Sequence, residues 1–337
     1  MPSAAELRRL QRAHERLIER LDADHGRRLE GVLETLEREI EKLVTAGKIT
    51  PAQAIEKRVT IEAAIRGTFL AWAHDSVSEY DNVAGGVVAM MQKLGSLEGW
   101  VAADAATVNQ LKRIAFAGYE DIAARFVDTL ANGLYQSTLA GRPATDTVRE
   151  MRQAINGVFA KSDDAAAMEL VEFVKQYQDN PSRANEVAEA VEQLHTIHAR
   201  DRVGNNLRRY AHQQVHDGLM QFNGSFTQAK AQEVGLTHYE YYGSLVRDSR
   251  PWCVSHAGRV MSQDEIRQAW ANSSWQGKSS GDPFVVRGGY NCRHHFMPVD
   301  PDWYGDKLRG DGATDASEMW REDYAELNPK KAEELNL

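Results

Sequence analysis

A chain of 337 residues with a formal charge of −9 and 42% apolar residues has enough length and apolar content for two globular domains and a sizeable core. The acidic balance excludes a protein that coats nucleic acid with its whole surface, because such binding depends on neutralising phosphates, so any such contact is confined to local basic patches. Two cysteines are too few for a disulfide scaffold. The absence of any run of about 18 apolar residues argues against a spanning helix, and Met1–Arg9 lacks the apolar centre of a signal peptide.

Ser3 with Glu6 has the form of a capping box that opens a long helix. Leu10, Leu17, Leu21, Leu29, Val32, Leu36, Ile40 and Leu43 make a heptad-like stripe along it, with a weak spot at Asp24–Gly26 and a stop at Gly47. The same helix carries Arg8, Arg9, Arg12, Arg16, Arg20, Arg27 and Arg28, interleaved with Glu6, Glu15, Glu19, Asp22 and Asp24. A solvated, salt-bridged face accounts for such a pattern more simply than a DNA-facing one. Thr50-Pro51 with Gln53 opens a second helix toward Ser76–Tyr80, and the two are expected to form an antiparallel hairpin.

Further helices are expected over Asn82–Leu94 and Ala103–Leu139. After a turn at Gly141–Pro143 the next starts at Thr147 with Glu150, another is capped by Ser162, and another opens at Asn180-Pro181 and ends near His198. None of them gathers a catalytic cluster, and residues 1–199 are expected to be a helical body. Arg200–Gln232 predicts a long helix with Val203, Leu207, Tyr210, Ala211, Val215, Leu219, Phe222 and Phe226 on one face, closed by Gly235-Leu236. Thr237–Val246, rich in tyrosine, has the composition of a strand.

The most informative stretch runs from Asp248 to Pro298. Its first half is Asp248, Ser249, Arg250, Pro251, Trp252 and Cys253, then His256, Gly258, Arg259 and Val260. Its second half is Gly288, Gly289, Tyr290, Asn291, Cys292, Arg293, His294 and His295. Both cysteines of the chain lie here, each with a histidine two or three positions away, and glycine and proline impose reversals around them. Ser262 with Glu265 predicts a helix over Asp264–Ala271, while Arg259–Met261, Phe284–Val286 and Cys292–Val299 are expected to supply strands of a small antiparallel sheet. Arg250 and Arg293 are expected to pair with Asp248 or Asp300, and Trp270 and Trp275 to roof the core. The expected architecture is therefore predominantly α with a small α+β part: a helical body over 1–199, an α+β domain over 200–300, and a polar acidic tail over 301–337. Within the tail a helix at Ser317–Leu327 either docks on a partner or packs back on its own domain.

Three readings of Cys253, His256, Cys292 and His294 or His295 stay open. One is a structural zinc site of two sulfurs and two nitrogens. Another is a disulfide or two packed thiols without metal, preferred because the spacing supports zinc only weakly, Cys-x-His being a short bracket. The last is a catalytic Cys–His pair, the weakest because a third, orienting group is wanting.

These two half-motifs resemble the C-terminal motif of the Mu F-like minor head proteins of tailed bacteriophages, also called head morphogenesis proteins, over roughly residues 200–300. The resemblance implies a non-enzymatic virion protein with no required cofactor, assembled in the host cytoplasm and lodged inside the capsid near the portal. It would act in procapsid assembly, DNA packaging or early genome delivery. The implied partners are the portal protein, the major capsid protein, packaged DNA and other copies of the chain, with no membrane. The competing expectation is a metal- or cysteine-dependent hydrolase or nuclease built on Cys253, His256, Cys292 and His294. A weaker one is a toxin or effector joined to a head-protein domain.

Overall fold

The structure, a computed structural model, describes residues 4–45, 50–94, 99–156, 206–247, 249–275, 278–289 and 292–335, with scattered positions between 158 and 203. Its contacts divide the chain into two units. One takes Met1–Arg27, Ala73–Tyr119 and Gln213–Leu337, and the other Arg28–Trp72 and Glu120–His212. Each unit therefore draws on residues from both sides of position 200, and residues 301–335 belong with the sheet rather than apart from it. No helix is long and apolar enough to cross a membrane among the described residues.

The first helix, α1 (Ala4–Thr45), is continuous, so the weak spot expected at Asp24–Gly26 is absent. The reason is His25, fully buried and stacked on Tyr80, whose packing outweighs the local cost of Gly26. The buried stripe is Gln11, His14, Ile18, Leu21, His25, Leu29, Leu33, Leu36, Ile40 and Val44, a helical period that admits two histidines in place of leucines. Ser3 and Gly47 lie outside the described residues.

In the second unit, α2 (Pro51–Ala64) starts on the expected box, with Thr50 accepting from the Gln53 amide and Gln53 accepting from Thr50. It runs into π-type turns over Ile65–Leu70 and then α3 (Ala71–Ser78). Ile65, Phe69 and Trp72, at i, i+4 and i+7, stay on one buried face across that bulge. The later part of α5 (Ala102–Leu139) supplies Phe126, Leu130 and Leu134 to this core. Helix α6 (Ala144–Asn156) begins directly after Pro143 and not at Thr147. Glu150 is taken by Ser137 and Arg142, so it makes no capping box. Of the two helices expected next, the Ser162 cap and much of the chain beyond it lie outside the described residues. Asn180 does accept from the Ser182 amide, opening a short 3-10 turn at Pro181–Arg183.

The expected helix from Arg200 instead begins at Leu207, as α7 (Leu207–Glu233), with Asn206 accepting from the Arg209 amide as its cap. Arg202 and Val203 are extended, as β2, and pair with Phe159 and Val158 of β1.

The first unit is built around α4 (Tyr80–Leu94), the early part of α5 and most of α7. Tyr80 packs on Phe222 at 5.0 Å between ring centroids, His14 bonds Asn223 at 2.8 Å, and the buried Lys230 pairs with Asp104 at 2.6 Å. Three antiparallel strands complete it in the order β4-β3-β5, with β3 (His238–Tyr242) central, β4 (Val260–Ser262) and β5 (His295–Val299). Between them lie α8 (Pro251–His256) and α9 (Gln263–Asn272), the latter on the expected Ser262/Glu265 box. Phe284–Val286 is helical rather than a strand, as α10 (Pro283–Val286). Asp282 accepts from the Phe284 amide and Pro283 occupies the first turn, a helix start that overrides the β-branched composition.

Along β3 the side chains alternate as the pleat requires. Tyr239 and Tyr241 enter one buried layer, while Glu240 points oppositely and accepts a 2.5 Å bond from Tyr304. Beyond Asp300 the chain stays attached. The Val260 amide donates to Gly312, and Thr314 donates to the Gly258 carbonyl and caps α11 (Asp315–Leu327). Trp320 and Tyr324 of α11 are buried, and α12 (Pro329–Leu335) comes after it. Of the two expectations for the tail helix, packing back is the one observed.

Candidate metal centre

Three segments converge beneath the sheet. Arg250 is extended and Pro251 opens α8, a start suited to proline's fixed φ, after a turn in which Ser249 and Val246 bond each other. Within its first turn this helix presents Cys253 inward. Trp252 beside it packs among Trp270, Trp275 and His256, with ring centroids 3.7–5.4 Å apart. The chain leaves α8 through Gly258 at φ 73°, where a Cβ would lie 2.4 Å from the Ser317 amide. The second segment turns through Arg287, itself at φ 54°, then Gly288 and Gly289, to bring in Cys292 and His294 just ahead of β5. The third is β3, which delivers Tyr241 from below.

Cys253 and Cys292, 39 positions apart in the chain, place their sulfurs 3.8 Å apart, and His294 Nδ1 is 3.7 Å from the Cys292 sulfur. Both cysteines are free, buried thiols, so of the two forms expected without metal the packed pair is seen and the disulfide is not. The three residues are only 2–3% exposed, and their donor atoms all fall within 4.8 Å of one another. A tetrahedral ion with metal–sulfur bonds of about 2.3 Å and metal–nitrogen bonds of about 2.0–2.1 Å needs edges of roughly 3.8 Å and 3.6 Å. The two measured edges meet that requirement. Thiolate and imidazole are also the donors that soft and borderline divalent metals select. This cluster could hold a metal ion.

The electrostatics favour a thiolate at Cys292. The bond from Cys253 and then the His294 ring hold its pKa well below the usual thiol value against the opposing effect of burial, with the Arg287 charge helping. Cys253, as the donor in that bond and buried besides, is pushed up. Arg287 is 1% exposed and its Nη2 donates to Asp217 at 3.2 Å. His216 braces the same segment, one nitrogen on the Cys292 carbonyl at 3.1 Å and the other on Asp22 at 3.0 Å. Burial lowers the His216 pKa, but the Asp22 hydrogen bond and charge outweigh it and the net shift is upward.

His256 does not join the cluster, a correction to the four-ligand expectation. Its ring lies on Trp252 and its Nδ1 is engaged by the Trp252 carbonyl at 2.8 Å, because a helical i, i+4 relation carries it over the preceding turn and not toward Cys253. His295 is excluded too: strand alternation turns it to the face of Tyr242, and burial pushes its pKa down to about 3. Of the remaining residues of the motif, Asp248 and Asn291 lie outside the described residues, Arg293 is exposed, and Gly288 and Gly289 are buried in the turn. Asp300 accepts from the Asp302 amide to cap the next turn. On α1, Arg9, Arg12 and Arg16 are exposed, whereas Arg8 is half-buried with its guanidinium 5.9 Å from the Tyr304 ring. The salt-bridged face expected there forms in part: Arg27 pairs with Asp24, and the Arg12 and Arg16 charges act on Glu15.

Sequence reading missed Tyr241, Arg287 and His216. For Tyr241 the alternation of Tyr239 and Tyr241 signals burial, but nothing in it signals proximity to sulfur. A nucleophilic role for Cys292 meets two obstacles: the sulfur is buried, and His294 Nε2 has no hydrogen-bond partner to orient the ring as a base. No family model, no curated protein and no solved structure matches this chain.

Proposed function

We propose that this chain is a minor head protein of a tailed bacteriophage, similar to the Mu F-like head morphogenesis proteins, and that its C-terminal sheet is locked by a structural zinc ion at Cys253, Cys292 and His294. The observation that carries the reading is the closure of two distant half-motifs on one another, at 3.8 Å between sulfurs, in a buried setting. A three-stranded sheet fed by glycine-rich loops gains folding free energy from such an ion, since the unfolded chain offers no preformed site. In this role zinc ties α8 to the entry of β5, with His294 as its nitrogen donor and His216 and Arg287 bracing the cysteine segment. The burial of all three donors favours this structural role over the hydrolase or nuclease alternative, which needs an open coordination position.

On this reading the chain acts inside the head at the portal vertex, in assembly, packaging or early DNA delivery. The exposed Arg9, Arg12 and Arg16 are the residues offered to packaged DNA, in an otherwise acidic protein. The test is co-expression of the full chain with the portal protein of the same genome, with size-exclusion chromatography and then electron microscopy of assembled heads. Co-elution and density at the portal vertex support the proposal. Absence from purified particles, together with turnover of a nucleic-acid or peptide substrate that Cys253→Ser abolishes, overturns it.

A further inference from the structure

Three protein donors leave a tetrahedral ion one ligand short, and the structure offers a fourth that belongs to no metal motif in the sequence. The Tyr241 hydroxyl lies 3.5 Å from the Cys253 sulfur and 3.4 Å from the Cys292 sulfur. For an oxygen ligand bound at about 2.0 Å beside sulfurs at about 2.3 Å, the tetrahedral edge is roughly 3.5 Å. The Tyr241 ring is fully buried and lies parallel to His294, 7° between planes and 5.0 Å between centroids, so both ligand rings are held as one stack. Phe296 packs on the tyrosine at 4.8 Å and fixes it further.

A second observation places a turn of the chain directly against the same donors. A Cβ built on Gly288 falls 2.7 Å from each of the two sulfurs and 3.0 Å from the Tyr241 oxygen. Only a residue without a side chain lets this turn lie so close to the three donor atoms. The buried Arg287, the residue before Gly288, offsets the net negative charge that two thiolates and a phenolate leave around a divalent ion.

We infer that Tyr241 is the fourth ligand of the metal site, which makes the site a closed Cys-Cys-His-Tyr cage with no position for water or substrate. The inference rests on the structural-metal reading above and goes beyond it by specifying a closed coordination sphere. Binding would release the phenolic proton and the Cys253 thiol proton to solvent, leaving a metal-bound phenolate beside two thiolates.

The experiment adds Zn²⁺, and separately Co²⁺, to the metal-free full chain and tracks ultraviolet difference absorption and the cobalt ligand-field bands. The expected result is one equivalent bound, with the difference band of an ionised phenol rising in step and a tetrahedral cobalt spectrum. Tyr241→Phe, which removes one oxygen and keeps the ring stack, is expected to lose the phenolate band and bind Zn²⁺ at least tenfold more weakly. The wild-type difference spectrum carries the test even where the variant fails to fold. Stoichiometric binding with no phenolate band overturns the Tyr241 assignment and leaves the structural metal standing. Absence of binding, with Cys253→Ser unchanged in stability, overturns both.

Discussion

Gly288→Ala is the smallest change that probes the clasp. The added methyl would lie 2.7 Å from the sulfurs of Cys253 and Cys292, where comfortable carbon contacts begin at about 3.5 Å. None of the neighbours is free to withdraw. Cys253 is carried by a helix pinned through Trp252, Cys292 is tethered by His216 at its carbonyl, and the Gly288 carbonyl itself accepts a 3.1 Å bond from Trp275. Overpacking of this kind costs about 1–3 kcal/mol. For a cooperative unit of about 200 residues, 1 kcal/mol corresponds to roughly 2–4 °C, so a central value of about 2 kcal/mol lowers Tm by about 4–8 °C. The methyl also crowds the donors, so zinc retention should fall with it. Differential scanning calorimetry and metal analysis of the same preparation measure both quantities. A variant that melts within about 1 °C of wild type and holds the same metal content would refute the packing argument.

Acid should destabilise the fold through His14, His256 and His295, whose pKa values burial lowers, to about 4 for His256 and about 3 for His295. Their folded values lie below the unfolded 6.5, so the contribution is complete above pH 6.5 and is lost as the pH falls from there toward 4, and toward 3 for His295. For His256 the shift amounts to at most about 3 kcal/mol, less because the ring still meets solvent. Urea titrations across that range should show the loss, and His256→Gln should flatten it; an unchanged acid slope in the variant contradicts the assignment. Trp320→Ala should cost about 3–5 kcal/mol, as for a large core aromatic, because the tail helix packs against Tyr242. A cost below 1 kcal/mol by chemical denaturation would instead mark it as a detachable docking segment. Tyr304→Phe leaves the buried Glu240 without its 2.5 Å donor, and an effect of about 1–3 kcal/mol is expected in the same assay. A neutral outcome would mean that water replaces the hydroxyl.

Much of the fold is legible locally. Thr50 with Gln53 and Ser262 with Glu265 each announce a helix start through a reciprocal bond that needs only three residues of context. Failures arise where tertiary contacts decide. His14 and His25 occupy core positions that an apolar template assigns to leucine, because Asn223 and Tyr80 stand opposite them. Phe284–Val286 has strand composition, yet Asp282 and Pro283 initiate a helical turn. At the site, the cysteines and one histidine could be picked from spacing alone. The choice among His256, His294 and His295 could not, because it depends on helix phase for the first and strand parity for the third. Tyr241 comes from a different segment altogether, and no spacing rule links it to the cysteines.

The most direct test of the account is metal analysis of the purified full chain by native mass spectrometry, with the Cys253→Ser and Tyr241→Phe variants alongside. The account predicts one zinc ion per wild-type chain, with occupancy lost in Cys253→Ser and reduced in Tyr241→Phe. A folded wild-type chain that carries no metal, and takes none up when zinc is supplied, would contradict it.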